Sequence, residues 1–315
     1  MDKKFHEKLV DLKAQVEQLG SSINQIISSL DVTITSKDEP VNKNPRAYAN
    51  SLSDNKLIPI DLTQIETMLL GWPRAVDPAL ITDQNDEDSL QYRALQILSI
   101  MPISIKDLNV LDIGCGTGHL AVEMSYQAKS VVAYDVDTKA YGDFSQSTNL
   151  TFAQDIEQVQ QNGPYDFIVM YDVLDHAKGD PLDLLKTAQQ LIKQDGTIFL
   201  RTHPWVSNTG GHLYETMNYG FLHLYLTPYE MSKLGYKLPY NIKATRPMAM
   251  YEDWINRAGL KIESRTIKAQ PINDFFKKEA VINRIIQVTW ADKIQPDQAL
   301  KILKNDTIDY VLKNA

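Results

Sequence analysis

A nine-residue segment near the middle of the chain, VLDIGCGTG from Val110 to Gly118, constrains the fold more than any other part of the sequence. An apolar run leads into it, and Leu120, Ala121 and Met124 follow at the spacing of one helix face. The segment therefore predicts a strand, a tight glycine turn and a helix. Glycines allow a backbone to turn sharply and to approach a ligand where a Cβ atom would collide. Such a turn typically holds an adenosine-containing cofactor.

The spacing of the glycines bears on which cofactor is bound. A nicotinamide-binding fingerprint reads G-x-G-x-x-G, whereas here Asp112 comes first and the glycines alternate with single residues up to Gly118. A second apolar strand, Val131 to Tyr134, ends at Asp135, seventeen residues beyond Gly118. A carboxylate at the tip of the second strand is placed to accept hydrogen bonds from both ribose hydroxyls of an adenosine.

Together these features resemble the class I S-adenosylmethionine-dependent methyltransferases, in the small-molecule branch with a D-V-L-E-H-type motif after the fourth strand. The counterpart here is Asp172-Val-Leu-Asp-His176. The resemblance covers roughly residues 85 to 291. It implies an α/β fold with a doubly wound, mainly parallel seven-stranded sheet, and S-adenosylmethionine as the cofactor.

The resemblance also implies a role for each matching position. The glycine loop and the acid before it would hold the methionine part of the cofactor, and the second-strand acid would hold ribose. Asp155 and Ile156 would contact adenine, and Asp172 would line the methyl-transfer site. The implied cofactor-binding residues are Asp112, Gly114, Gly116, Gly118, Asp135, Val136, Asp155, Ile156 and Asp172.

Missing motifs exclude two classes of methyltransferase. Enzymes that methylate the exocyclic amines of bases or glutamine carry an N-P-P-Y-like loop after strand four, where this chain has Tyr171-Asp-Val-Leu. Cytosine-C5 enzymes need a nucleophilic cysteine after strand four, but the single cysteine, Cys115, lies in the glycine loop. We interpret Cys115 as a small residue of that loop.

The segment after the fifth strand, residues 202–251, is predicted to be an aromatic substrate lid. Seven of the fifteen tyrosines fall between Tyr214 and Tyr251, near Trp205, Phe221 and Trp254. Such rings would suit a sugar, a polyketide or an aromatic acceptor through stacking and hydrogen bonds to hydroxyls. The alternative is that they form the hydrophobic core of the lid.

Two histidines are candidates for the base that takes a proton from a hydroxyl acceptor, because imidazole titrates near neutral pH. His203 follows a sheet strand at its carboxyl end, where open α/β folds bind ligands. His212 lies between a double glycine and the aromatic segment. The alternative for either one is a structural histidine. His176 and His223 are expected to be structural, and the spacing of the acids and histidines predicts no metal site.

Composition limits the partners. At 315 residues with 43% hydrophobic content, we expect one substantial core plus accessory segments. A net charge of −8 argues against nucleic acid as a partner. The lack of a long apolar run and of a secretory signal predicts a protein that is not in the membrane. A single cysteine suits a reducing compartment, so a cytoplasmic location is expected.

The first thirty-one residues carry an apolar heptad pattern. Eight apolar residues from Phe5 to Leu30 are separated alternately by four and three positions. A strict 3.5-residue period favours a coiled coil that makes a homo-oligomer, and an amphipathic helix packed on its own domain is the alternative. Residues 32–59 are polar and contain Pro40 and Pro45, which predicts a linker or arm.

The rest of the chain is predicted as three regions. Residues 60–108 form a helical lead-in with helices at Ile60–Leu70 and Asp86–Ile100. The methyltransferase domain is expected over residues 109–291 and to close with strands at Lys261–Ile267 and Arg284–Trp290. Residues 292–315 are predicted to be a helical extension.

The resemblance implies methyl transfer from S-adenosylmethionine, with a hydroxyl of a small molecule or glycan as the expected acceptor. Two alternatives stay open. The fold could serve as a structural part of a larger assembly, since a coiled coil and a polar arm are unusual additions to a free small-molecule enzyme. A protein methyltransferase is the other.

Overall fold

The computed structural model describes residues 59–78, 86–137, 147–177, 179–211, 217–235 and 247–315. The predicted coiled coil at 1–31, nearly all of the linker at 32–59, and His212 lie outside the described residues. The predicted oligomer therefore stays a prediction.

The described residues build one sheet of seven strands in the order β3-β2-β1-β4-β5-β7-β6. Strands β1 to β5 run parallel, and β7 pairs antiparallel with both β5 and β6. The strands are β1 Asn109–Ile113, β2 Ser130–Tyr134, β3 Leu150–Ala153, β4 Tyr165–Tyr171, β5 Ile192–Thr202, β6 Leu260–Ala269 and β7 Asn305–Asn314. The predicted α/β fold class is confirmed.

Helices surround the sheet and extend beyond it. Those of the described residues are α1 Leu62–Leu69, α2 Glu87–Ser99, α3 His119–Ser125, α4 Ile156–Asn162, α5 Pro181–Leu191, α6 Leu222–Tyr225, α7 Pro228–Lys233, α8 Met248–Arg257, α9 Glu279–Trp290 and α10 Pro296–Leu303. Short 3₁₀ turns occupy Leu174–His176 and Asp274–Lys277. The helices predicted at Ile60–Leu70 and Asp86–Ile100 are confirmed as α1 and α2, and the Asp86 side chain caps α2 by accepting a hydrogen bond from the Ser89 backbone.

Each central strand sends alternate side chains to two different cores, as the period of two in a β-strand requires. In β4, Phe167 and Val169 pack with α2 and α3, whereas Ile168 and Met170 pack with α5 and α8. All four side chains are fully buried. Helices therefore cover both faces of the sheet, which is the doubly wound arrangement.

The prediction for the C-terminal end of the sheet was wrong. Arg284–Trp290 lies within helix α9, although its run of β-branched residues favours a strand. Residues Val281, Ile282, Ile285 and Ile286 are buried at helical spacing, and this packing decides the structure over local propensity. The closing strand is β7, inside the segment predicted to be wholly helical.

A third core lies apart from the sheet. It joins α1, the segment after β5, and helices α9 and α10, and its buried side chains include Ile65, Trp72 and Phe221. Phe221 packs edge-to-face on Phe276, with ring centroids 4.9 Å apart. Tyr251 and Trp254 are buried instead in the core beneath α8. Most of the described rings of the predicted lid thus pack in hydrophobic cores, as the alternative interpretation held, whereas Tyr229 is exposed.

Candidate active site

The glycine loop packs tightly between β2 and the chain that leaves β4. The Gly114 backbone N–H donates to the Tyr134 carbonyl at 2.7 Å. A Cβ atom on Gly114 would lie 2.2 Å from Cγ2 of Val173, and the residue has φ of +75°, so only glycine fits without strain. At Gly116, by contrast, a Cβ atom would meet nothing within 4 Å, which shows that this part of the loop faces open space.

Asp112 is buried directly beneath the loop. Its side chain is 2% exposed, and its Oδ2 atom has no hydrogen-bond partner among the described residues. Burial, together with the nearby negative charge of Asp135, raises the pKa of Asp112 to about 7. A buried carboxylate oxygen without a partner is costly, so a hydrogen-bond donor or a cation beside Asp112 Oδ2 would stabilise the site.

Asp135 is tied to the same loop. Its Oδ2 accepts a hydrogen bond from the Gly116 N–H at 3.0 Å, and its Oδ1 accepts one from the Asp137 N–H at 2.9 Å. Each carboxylate oxygen can accept a second hydrogen bond. These two hydrogen bonds hold the Asp135 carboxylate against the glycine loop.

The remaining residues predicted for ribose and adenine lie beyond the loop. Val136 is exposed, and Gly118, the last glycine of the loop predicted for the methionine part, precedes α3 with φ of +93°. The Asp155 side chain caps α4 by accepting a hydrogen bond from Gln158 N at 2.8 Å, and Ile156 packs against the core. These positions are consistent with the predicted roles but leave them as predictions.

A cavity of about 840 Å³ opens at the carboxyl ends of β1, β4 and β5. Ligand sites in proteins commonly measure ~300–1,000 Å³. The lining combines the glycine loop, one face of α2, the exit of β4 and the segment after β5. Its residues include Asp112, Gly114, Gly116, Arg93, Asp172, His176, His203 and Thr209.

Asp172 lies between two cationic or titratable side chains in this cavity. Its Oδ2 accepts a hydrogen bond from Arg93 Nη2 at 3.2 Å, and its Oδ1 lies 3.5 Å from His203 Nε2. Burial raises the pKa of Asp172, and the charges of His203 and Arg93 oppose that rise. Asp172 follows β4 with φ of 55°, and its N–H donates to the Arg201 carbonyl at 3.2 Å.

The orientation of His203 fixes which nitrogen can act as a base. Nδ1 lies 3.2 Å from the backbone carbonyl of Asp306, which can only accept a hydrogen bond. In the neutral ring, Nδ1 therefore carries the proton that makes this bond, and Nε2 keeps its lone pair. Nε2 is the ring nitrogen that lies 3.5 Å from Asp172 Oδ1.

The other described histidines differ in their surroundings. His176 also lines the cavity, and its side chain is 46% exposed. His223 is buried near the third core, with Nε2 2.8 Å from the Trp205 carbonyl, which agrees with a structural role. The Cys115 thiol has its pKa raised by burial, then by Asp112 and Asp135, so the reactive thiolate is disfavoured.

The family model described as "Methyltransferase domain" matches residues 87–263, more than half of the chain. The chain belongs to this methyltransferase domain family. The match begins at α2 and ends within β6, so it includes the cavity lining from Ser89 to Thr209. The predicted family is confirmed.

Curated relatives of this methyltransferase are enzymes named "Ubiquinone biosynthesis O-methyltransferase". The one from Acinetobacter baylyi is 29% identical over 102 residues, which are 30% of this chain and 42% of the relative. The one from Yersinia enterocolitica is 31% identical over 106 residues, 31% of this chain and 43% of the relative. The matched part of the chain thus spans less than half the length of these relatives.

Solved structures of methyltransferases align with the chain at low identity. A SAM-dependent methyltransferase from Archaeoglobus fulgidus is 14% identical, covers 76% of this chain and 100% of its own, and has a TM-score of 0.45. One from Mesorhizobium loti is 13% identical, covers 71% of this chain and 98% of its own, and has a TM-score of 0.42.

Membership of the family implies S-adenosylmethionine, and the residues present fit it. The amino group of its methionine part would supply the cation that buried Asp112 lacks. Its carboxylate would pair with the guanidinium group of Arg93, which is the one lysine or arginine among the described residues that line the cavity. The Cβ-free backbone at Gly116 leaves room for close approach.

Reasoning from the sequence missed three contributors to this site. Arg93 reaches Asp172 from α2, Tyr171 lines the cavity from β4, and the Asp306 carbonyl orients His203 from the start of β7. Arg201 forms an ion pair with Asp309 and donates to the Tyr171 hydroxyl. A Rossmann-like order of strands predicts which strand ends meet, but no local pattern identifies these partners.

Two further features are absent from the described residues. Among them, no three acidic, histidine or cysteine side chains are grouped in a way that could hold a metal ion. None of their helices combines the length and apolar character that a membrane crossing requires.

Proposed function

We propose that this protein transfers a methyl group from S-adenosylmethionine to a hydroxyl group of a small molecule or glycan. The observation that carries the proposal is that one cavity is lined both by Asp112 with the glycine loop and by His203. A cofactor held at the loop and an acceptor held at His203 would therefore meet in one space.

We assign residues to each part of the cofactor. Asp112 and the glycine loop bind the methionine amine, and Arg93 binds the methionine carboxylate. Asp135 and Val136 hold the ribose, while Asp155 and Ile156 hold the adenine. The bound cofactor supplies a methyl group on a positively charged sulfur. When the acceptor oxygen attacks the methyl carbon, the carbon–sulfur bond breaks and the sulfur departs as a neutral thioether.

The acceptor loses one proton as its new C–O bond forms, and His203 Nε2 takes that proton. The Asp306 carbonyl holds the ring in the required tautomer. Asp172, 3.5 Å from Nε2, stabilises the imidazolium that results. His212 remains the second candidate base. The names of the curated relatives, which are O-methyltransferases, support a hydroxyl acceptor.

The test has two parts. Calorimetry with S-adenosylhomocysteine should give saturable binding to the wild-type protein and much weaker binding to Asp135→Ala. Tritium transfer from methyl-labelled cofactor is then measured with catechol, phenol and sugar acceptors. Absence of binding to the wild type would refute the proposal and favour a structural role in a larger assembly. Transfer to protein substrates alone would favour a protein methyltransferase.

A further inference from the structure

The two oxygens of Asp172 face different partners across the cavity. Oδ2 bonds to Arg93 Nη2 at 3.2 Å, and Oδ1 lies 3.5 Å from His203 Nε2. The Asp172 side chain is 17% exposed, whereas that of Arg93 is 55% exposed. The arginine therefore approaches a partly buried carboxylate from the open side of the cavity.

The contact with Arg93 is suited to exchange. Arg93 extends from α2 into the same cavity as the glycine loop. A guanidinium group binds a free carboxylate through two parallel hydrogen bonds, which is a stronger arrangement than one bond to one oxygen. A ligand carboxylate beside Arg93 can therefore compete with Asp172.

We propose that the carboxylate of the bound cofactor draws Arg93 away from Asp172, and that Asp172 then pairs with His203. Arg93 would thus be a positioning residue that makes the base ready only after the cofactor has bound. This inference rests on the proposed function, because it requires the cofactor to occupy the cavity.

Other charges around the pair stay in place during the exchange. Arg201 is held by its ion pair with Asp309, and Lys268 and the carboxylate of Asp306 face the same cluster. Asp175 adds a negative charge near Asp172. Arg93 is the exposed cation of the group, so its withdrawal is the principal change in charge.

Withdrawal of the Arg93 cation changes the proton affinity of Asp172 in a predictable direction. Arg93 lowers the pKa of Asp172, so its departure increases the proton affinity of the Asp172 carboxylate. Binding of a ligand with a carboxylate should therefore be accompanied by proton uptake at Asp172. A ligand without that carboxylate should not.

The experiment compares S-adenosylhomocysteine with its decarboxylated form by calorimetry in buffers of different ionisation enthalpy. Both ligands are neutral at sulfur and both carry the amine, so any change in the ionisation of Asp112 is common to the two ligands. We expect proton uptake with S-adenosylhomocysteine to exceed that with the decarboxylated ligand. The difference should vanish in Arg93→Gln and Asp172→Asn and fall in His203→Gln.

Affinity supplies an independent readout. Asp172→Asn should strengthen binding of S-adenosylhomocysteine by about threefold, because the competitor for Arg93 loses its charge. The same substitution should have no effect on the decarboxylated ligand or in an Arg93→Gln background. If Asp172 had a purely structural role, Asp172→Asn would instead weaken the binding of both ligands. The matched control is the surface pair Arg257–Asp253, with Nη1 and Oδ2 3.3 Å apart, where Arg257→Gln and Asp253→Asn should change nothing.

Equal proton uptake with the two ligands, or weaker binding of S-adenosylhomocysteine to Asp172→Asn, would overturn the exchange while leaving the proposed function intact. Failure of the wild type to bind S-adenosylhomocysteine would instead overturn both. The two failures are therefore distinguishable.

Discussion

Asp135, at the end of β2, accepts a hydrogen bond of 3.0 Å from the backbone N–H of Gly116, at the open part of the glycine loop. The proposed ribose-binding acid and the loop beside the methionine part are thus physically joined. A change at position 135 removes the two carboxylate oxygens proposed to accept hydrogen bonds from the cofactor, and it also removes the bond to the loop.

We therefore expect Asp135→Ala to abolish most cofactor binding. Hydrogen bonds to a charged group contribute roughly 1.5–3 kcal/mol each, so loss of two predicts a rise of at least ~100-fold in the Kd of S-adenosylhomocysteine. Calorimetry measures the change, and circular dichroism checks that the fold is retained. Asp137→Ala, which alters the neighbouring exposed carboxylate, is the control. Unchanged affinity in a folded Asp135→Ala protein would refute the ribose assignment.

Asp112 predicts an unusual dependence of stability on pH. Its folded pKa of about 7 lies above the ordinary aspartate value of 3.8, so the folded state binds more protons than the unfolded state between these values. The contribution of Asp112 to the free energy of unfolding is therefore greatest at low pH and is lost as pH rises toward 7.

Chemical denaturation from pH 4 to pH 8 measures this effect. The wild type should lose stability relative to Asp112→Asn as pH rises, because the amide has no charge to bury. S-adenosylhomocysteine should reduce the difference in free energy of unfolding between the two proteins at pH 8, because its amine pairs with the ionised Asp112. If the free energy of unfolding of the two proteins depended on pH in the same way, the raised pKa of Asp112 would be contradicted.

His203→Gln should reduce methyl transfer far more than it changes cofactor affinity. Loss of a general base costs typically ~10²–10⁴-fold in turnover. Tritium transfer to an acceptor found in the screen gives the rate, and calorimetry gives the affinity. His176→Gln, a change to another histidine of the same cavity, is the matched control. If His212→Gln removes turnover and His203→Gln does not, the base is His212.

The parts of the site that the sequence predicted are those coded by adjacent residues. The strand, glycine loop and helix around Gly116 follow from the spacing of glycines and apolar residues within fifteen positions. The acids that follow β2 and β4 could be located because a sheet with this order brings strand ends together.

The parts that were missed depend on packing between distant segments. Arg93 and Asp172 are 79 positions apart, and His203 and Asp306 are 103 positions apart. The helix at Arg284–Trp290 has the local composition of a strand, and only burial of one face against the third core makes it a helix. A single sequence carries no record of such long-range contacts.

Glu230 is predicted to stabilise the fold without contributing to the active site. The side chain is fully buried, accepts hydrogen bonds from the backbone N–H groups of Ile60 and Thr227, and pairs with Arg284 Nη2 at 2.6 Å. It thus links the chain before α1 to α7 and α9. Removal of one partner from a buried ion pair costs about 3–5 kcal/mol, because the other charge is left without compensation.

Glu230→Gln should therefore lower the free energy of unfolding by about 3 kcal/mol, as measured by urea denaturation. The control is Glu252→Gln, which breaks the less buried pair with Arg265 and should have a smaller effect, since solvent screens that pair. The Kd of S-adenosylhomocysteine should stay the same in folded Glu230→Gln, because Glu230 is not among the residues that line the cavity. An equal loss of stability in both variants would show that burial of Glu230 does not set the strength of its ion pair.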